Sequence, residues 1–274
     1  MRTATAPLEL HRARSLEDAL TRLADASDLR PIAGCTDVFV EANFGTLDDR
    51  RFLDLWPLRE TLGRIELRDD RLVIGALATY TEVLGSPLVR ERLPILAEAA
   101  AVIGGVQIQN RGTIGGNVAN ASPAGDTPPV FLAVDAEVVL RSASGERRVA
   151  YGAFHTGYRT TARRPDELIV AIETPPVDGR PFFRKVGTRA AQAISKVVVA
   201  GVRGDRPAIA VGSIAPTVVR LPETERALAR GAGRDEVRET VAREIAPIDD
   251  VRSTARYRRT VTANLVDDAF FGDR

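Results

Sequence analysis

Two glycine-rich segments contain the residues of this sequence best suited to holding an anionic ligand. The first is IAGCTDV, residues 32–38, where Gly34 permits a positive φ and the chain turns from a strand toward a helix. Successive backbone N–H groups in such a turn can point at one anion, and a helix N-terminus adds partial positive charge. Thr36 could cap the helix or bond a phosphate oxygen. The alternative interpretation is a purely structural glycine turn.

The second segment is RGTIGGNVANASPAGDTPP, residues 111–129. Gly112, Gly115 and Gly116 allow the backbone to approach a ligand closely. Asp126 could accept hydrogen bonds from sugar hydroxyls. Uncharged polar contacts could come from Thr113, Asn117, Asn120 and Ser122. A diphosphate joined to a ribose would suit this set, and the alternative is a long surface loop rich in turn-forming residues.

Composition excludes several other kinds of site. The 274 residues carry a net charge of +1, which argues against nucleic acid as the main partner. Cys35 is the only cysteine, so this chain cannot form an internal disulfide or hold an iron–sulfur cluster alone. His11 and His155 are the only histidines, which disfavours a histidine-rich metal site. P-loop, HExxH, GxSxG, CxxC and GxGxxG patterns are absent.

Hydropathy predicts no membrane contact. The first fifteen residues lack an apolar signal core, and no stretch of ~18 apolar residues occurs. We therefore expect a cytoplasmic protein that does not bind membranes.

The elements that position the two segments follow from periodicity and turn residues. A helix after Ser15, a strand near residues 31–33 and a strand at 51–55 predict a small α/β unit. From about residue 61, a hairpin around Asp69–Asp70, an Ala/Leu-rich helix and further strands predict a second unit. A loop is predicted over residues 104–129, because six of the 22 glycines lie there.

Residues 174–181 are the best domain boundary, and beyond them three strand-like segments precede a helical tail. We therefore predict an α+β fold in which two small α/β subdomains are followed by a C-terminal antiparallel sheet with helices. The predicted domains are 1–176, with subdomains of about 1–57 and 58–176, and 177–274, with a three-stranded sheet.

At the two glycine segments the sequence resembles a known family. IAGCTDV and TIGGNVANASPAGD resemble the flavin-diphosphate loops of the FAD-binding medium subunit of molybdenum hydroxylases, which include xanthine dehydrogenase and carbon monoxide dehydrogenase. The similarity covers nearly the whole chain, and the xanthine dehydrogenase branch is most alike. It continues through GYRTT (157–161), PDELIVAIETP (165–175), FFRKVGTRAAQAISKV (182–197) and DVRSTARYRRTVTANL (250–265).

The resemblance implies a cofactor site, residue by residue. The diphosphate would be wrapped by the backbone amides of Ile32, Ala33, Gly34, Cys35, Thr36, Asp37 and Val38. It would be closed from the other side by Gly112, Thr113, Gly116 and Asn117. The family often has AGGT or AGNT in the first loop, so Cys35 departs from its pattern.

Other positions are implied to lie nearer the adenosine, ribityl or ring parts of FAD. Ile103 and Ile108 would pack near the adenosine or the ring edge, and Asn120 and Asp126 would reach ribose, ribityl or ring polar atoms. Two positions would lie close to the flavin, namely Ile169 and Lys185. Tyr158 matches an aromatic position on the face where nicotinamide would sit.

The resemblance also implies a function for the whole chain. It would be an oxidoreductase subunit, incomplete alone, that binds FAD and receives electrons through 2Fe-2S clusters on a small partner subunit. Those electrons would come from a molybdopterin cofactor on a large partner subunit and pass to NAD⁺, oxygen or a quinone, with NAD⁺ favoured. No residue of this chain is expected to act as a catalytic acid or base. The alternatives are a stand-alone FAD-dependent oxidoreductase and a nucleotide-binding scaffold without redox function.

Overall fold

The computed structural model describes residues 8–190 and 192–272. The start of the first predicted domain and the end of the second lie outside the described residues. Its first unit is a parallel sheet in the order β1-β3-β2. The strands are β1 (Glu9–Arg12), β2 (Leu29–Ile32) and β3 (Arg51–Asp54), and the helices are α1 (Leu16–Asp25) and α2 (Val38–Phe44). The Ser15 hydroxyl accepts a hydrogen bond from the Asp18 amide and starts α1, as a helix cap should. The first glycine segment connects β2 to α2.

The second unit is built on a five-stranded antiparallel sheet. Its order is β4-β5-β10-β6-β7, so the chain leaves the sheet after β5 and again after β7. The strands are β4 (Ile65–Arg68), β5 (Arg71–Gly75), β6 (Glu137–Ser142), β7 (Gly145–Ala150) and β10 (Leu168–Thr174). The predicted β4–β5 hairpin is present, and Asp69 and Asp70 both have positive φ in its turn.

Short helices fill the excursions from this sheet. A short 3₁₀ turn (Trp56–Leu58) and α3 (Arg59–Leu62) join the two units, and the segment after β7 forms α10 (Tyr151–Phe154) and the hairpin of β8 (His155–Gly157) with β9 (Thr160–Thr161). Between β5 and β6 lie α4 (Tyr80–Gly85), α5 (Pro87–Arg92), α6 (Pro94–Ala101), α7 (Val106–Gln109), α8 (Ile114–Asn120) and α9 (Thr127–Ala133).

The loop predicted over residues 104–129 is therefore wrong in part, because α7, α8 and the start of α9 fall inside it. The Thr113 hydroxyl accepts a hydrogen bond from the Gly116 amide at 3.1 Å, which caps α8 despite its two glycines.

The C-terminal part is an antiparallel sheet covered by helices, as predicted. The strands are β11 (Arg180–Val186), β12 (Val197–Arg203), β13 (Ala208–Gly212) and β14 (Val219–Arg220), and the helices are α11 (Pro222–Ala229), α12 (Arg234–Glu244) and α13 (Ala255–Phe271). The sheet has four strands rather than the predicted three, because β14 pairs with β13 over only two residues. Two residues are too few to show the alternation that predicts a strand.

A shared core joins the central sheet to the C-terminal sheet. Ile74 and Ile172 of the central sheet and Phe131 of α9 belong to the same buried cluster as Val198 and Ala210 of the C-terminal sheet. The α+β fold is confirmed, and packing through α9 fixes the second glycine segment relative to both sheets. Within the described residues, no helix is long and apolar enough to cross a membrane.

Candidate functional site

Both glycine segments line one cavity of about 320 Å³. Its walls come from the β2–α2 turn, from the start of α8 and from the beginning of β10. The predicted site residues that line it are Ile32, Ala33, Gly34, Cys35, Thr36, Asp37, Val38, Gly112, Thr113, Gly116, Asn117, Asn120 and Ile169. Residues from three distant parts of the chain thus meet around one space large enough for part of a nucleotide.

The two segments touch each other directly at Gly34. A Cβ added to Gly34 would lie 1.8 Å from the carbonyl oxygen of Arg111, so no larger residue fits without moving backbone. A Cβ at Gly115 would lie 2.6 Å from the Cβ of Ala76, directly after β5, where the fit is also too close for a side chain. These glycines are therefore needed for close approach between backbones, which brings both cavity walls together.

The β2–α2 turn presents backbone donors without acceptors. Among the hydrogen bonds of the described residues, none is donated by the amides of residues 34–38. The same turn lines the cavity, so an oxygen-rich ligand there could satisfy them. Successive free amides of this kind are suited to a phosphate group.

Cys35 has a left-handed backbone, with φ +61°. This conformation favours glycine and asparagine, which are the residues that the resembling family often has at this position. Its Sγ contacts the carbonyl oxygen of Ala33 at 3.5 Å, and burial raises the pKa of the thiol, an effect that Arg111 opposes. A thiol with a raised pKa stays protonated near neutral pH and is a weak nucleophile.

A chain of polar side chains crosses one end of the cavity. Asn120 donates to Asp37 at 2.9 Å and accepts from Arg159 at 3.0 Å. Burial raises the pKa of Asp37, and the nearby Arg159 guanidinium opposes that rise. Asn120 therefore bonds both an acidic and a basic neighbour.

Five predicted site residues lie outside the cavity lining: Ile103, Ile108, Asp126, Tyr158 and Lys185. Lys185 on β11 and Asp126 before α9 form an ion pair with each other. The side chain of Tyr158 is 64% exposed and that of Ile108 is 39% exposed, so neither is held in a pocket. Cofactor contact at these five positions remains a prediction.

Sequence reasoning missed several residues that line the cavity, among them Arg30, Tyr80, Arg159, Arg163 and Glu167. Arg159 follows Tyr158 directly in the GYRTT segment, and Glu167 is two residues from Ile169, so their positions beside named residues were available signals. No short motif marks Tyr80, whose ring is buried and whose edge would contact a Cβ at Gly112.

Comparison with known proteins gives two family matches that cover most of the chain. The family described as FAD binding domain in molybdopterin dehydrogenase matches residues 6–177, and the CO dehydrogenase flavoprotein C-terminal domain matches residues 183–271.

Curated relatives are similar over nearly their full length. The glyceraldehyde dehydrogenase medium chain of Sulfolobus acidocaldarius is 32% identical, covering 94% of this chain and 95% of the relative. The xanthine dehydrogenase FAD-binding subunit of Escherichia coli O157:H7 is 30% identical, covering 94% of each chain. A solved carbon monoxide dehydrogenase from Hydrogenophaga pseudoflava superposes with a TM-score of 0.88 at 28% identity, covering 95% of each chain.

Proposed function

Because the chain belongs to the family of FAD-binding domains of molybdopterin dehydrogenases, we propose that it binds FAD between its two glycine-rich segments and transfers electrons within a multi-subunit molybdenum hydroxylase. The observation that carries this proposal is the single cavity lined by both segments. The family match and the cavity both support a nucleotide cofactor.

The residues of the cavity fit the diphosphate of FAD. The unpaired amides of residues 34–38 would donate to phosphate oxygens, while Gly116 at the start of α8 leaves room on the opposite wall. Thr113 fixes that wall by capping α8. Ile169 lines the cavity at the beginning of β10 and would pack against an apolar part of the cofactor.

The role of this chain is to bind the flavin and set its surroundings. Bound FAD supplies the redox chemistry, because it can exchange electrons singly with clusters and in pairs with a hydride acceptor. Lys185 would place the ion pair that it forms with Asp126 near the flavin, rather than an isolated positive charge. No side chain of this chain is assigned as an acid or base.

The partners we propose are a small subunit with 2Fe-2S clusters and a large subunit with a molybdopterin cofactor. Support comes from the names of relatives, which include medium chains of glyceraldehyde and carbon monoxide dehydrogenases. The surface offers apolar area for docking, since Phe39, Val40 and Phe44 of α2 are 66%, 50% and 80% exposed. For the electron acceptor we favour NAD⁺, on the basis of Tyr158.

The test is flavin analysis of the purified chain. We expect equimolar FAD, released by mild acid because no covalent bond holds it, and rebinding of added FAD by the apoprotein. A folded chain that neither contains nor binds FAD would contradict the proposal. Co-purification of a small and a large chain from the native host would support the subunit role, whereas FAD-dependent turnover by this chain alone would favour a stand-alone oxidoreductase.

A further inference from the structure

Three arginines line the cavity, and two of them are already held by carboxylates or by several backbone carbonyl oxygens. Arg30 contacts Glu41 and Asp49, with its Nη1 2.6 Å from a carboxylate oxygen of each. Arg163 donates from Nη1 to the carbonyl oxygens of residues 164, 165 and 167. The charge of Arg30 is therefore paired with two carboxylates, whereas Arg163 is held through Nη1 by backbone carbonyl oxygens of the segment that follows it.

Among the described residues, Arg159 makes fewer hydrogen bonds than either of the other two arginines. It sits in the turn between β8 and β9, with φ +53°, and its side chain is bonded through Nη1 to the amide oxygen of Asn120 at 3.0 Å. Throughout the part of the chain that the structure describes, Arg159 has no carboxylate within ion-pairing distance. Because the amide oxygen of Asn120 is neutral, the guanidinium of Arg159 keeps its charge and most of its N–H donors for a ligand at the cavity edge.

A cation at the cavity would balance the negative charges that a bound diphosphate and Asp37 bring together. The amides of residues 34–38 are neutral donors, whereas the diphosphate of a nucleotide carries about two negative charges. Asp37 adds a carboxylate to the same cavity, and burial makes its charge costly. A guanidinium that forms bidentate hydrogen bonds with phosphate oxygens would offset the charges of the diphosphate and of Asp37.

We infer that Arg159 binds the diphosphate of the nucleotide and that Asn120 holds it in position. This inference rests on the proposed function, and it assigns a binding residue that neither glycine segment contains. Asn120 lies between Arg159 and Asp37, so it keeps the guanidinium at the cavity without letting it collapse onto the carboxylate.

The test is FAD binding to apoprotein, followed by flavin fluorescence at several salt concentrations. The variants are Arg159→Gln, which removes the charge, and Arg159→Lys, which keeps it. The matched control is Arg206→Gln, since the side chain of Arg206 is 87% exposed and does not line the cavity. Thermal unfolding of each apoprotein checks that the fold is intact.

We expect Arg159→Gln to raise the Kd for FAD about tenfold or more, because a charge-assisted hydrogen bond is lost. The dependence of Kd on salt should become weaker in Arg159→Gln, and Arg159→Lys should recover part of both effects. Arg206→Gln should bind FAD as the wild type does.

Two outcomes would overturn the inference. One is an unchanged Kd in Arg159→Gln, and the other is a raised Kd with the salt dependence of the wild type, which would indicate a structural role. If the wild-type apoprotein itself fails to bind FAD, the proposed function fails instead, so the two failures can be told apart.

Discussion

Lys185 Nζ lies 2.6 Å from Oδ2 of Asp126, and only 9% of each side chain is exposed. Sequence reasoning named both residues separately as cofactor contacts, yet the structure makes them partners across 59 positions of the chain. The other carboxylate oxygen of Asp126 is buried without a hydrogen-bond partner among the described residues. This pair links β11 to the N-terminus of α9 and therefore ties the C-terminal sheet to the second glycine segment.

The first prediction concerns the pH dependence of this pair. Burial raises the pKa of Asp126 to about 6, although Lys185 opposes the rise. Because this folded-state pKa lies above the unfolded value, the native protein binds the proton more tightly, and this group stabilises the fold as pH falls from about 7 to 4. Asp126→Asn should remove that contribution, which is on the order of 2 kcal/mol in the free energy of unfolding.

Urea unfolding at pH 4.5 and pH 7 measures this effect. The stability of the wild type relative to Asp126→Asn should be greater at the lower pH. Asp178→Asn is a suitable control, because the side chain of Asp178 is 89% exposed. A difference between wild type and Asp126→Asn that does not vary with pH would show that Asp126 titrates normally.

The second prediction tests the contact between the two glycine segments. Gly34→Ala should greatly reduce FAD binding, because the new Cβ would overlap the carbonyl oxygen of Arg111 and force the segments apart. Gly85→Ala is the matched control, since a Cβ at Gly85 meets no atom within 4 Å. Flavin content of the purified variants measures the outcome, and full flavin content in Gly34→Ala would refute the close contact.

The third prediction concerns Cys35. Cys35→Gly should keep FAD binding and unfold within about 1 kcal/mol of the wild type, since glycine adopts the left-handed backbone without steric cost while gaining freedom in the unfolded chain. Cys35→Val should be clearly less stable, because a β-branched residue is strained at φ +61°. Chemical unfolding and flavin titration test both variants. Loss of FAD binding in Cys35→Gly would show that the thiol itself contributes.

The fourth prediction concerns the electron acceptor. In the assembled complex, reduced flavin should be reoxidised faster by NAD⁺ than by dissolved oxygen, because Tyr158 is exposed and could stack with nicotinamide. Stopped-flow absorbance of the flavin measures both rates, and Tyr158→Ala should slow the NAD⁺ reaction selectively. Equal rates with and without NAD⁺, together with fast reoxidation by oxygen or a quinone, would point to a different acceptor.

The sequence alone predicted several features that depend on neighbouring residues. The Asp69–Asp70 hairpin and the helix that begins after Ser15 were both predicted correctly, because turn residues and helix caps act over three or four positions. The sequence also singled out the two glycine segments, which line one cavity, and their binding of a cofactor stays a prediction. The helix α8 was missed because its glycines lower helix propensity, while the Thr113 cap and packing against β5 and β10 stabilise it.

Only the tertiary structure decided which residues meet. Arg111 touches Gly34, Lys185 pairs with Asp126, and Arg159 reaches Asn120, although each pair is separated by 39 or more positions in the chain. No local pattern encodes such contacts, because they depend on how the sheets and α9 pack together. That packing decides which side chains line the cavity. Arg159 is therefore identified as a cation at the cavity by the tertiary structure and not by the sequence.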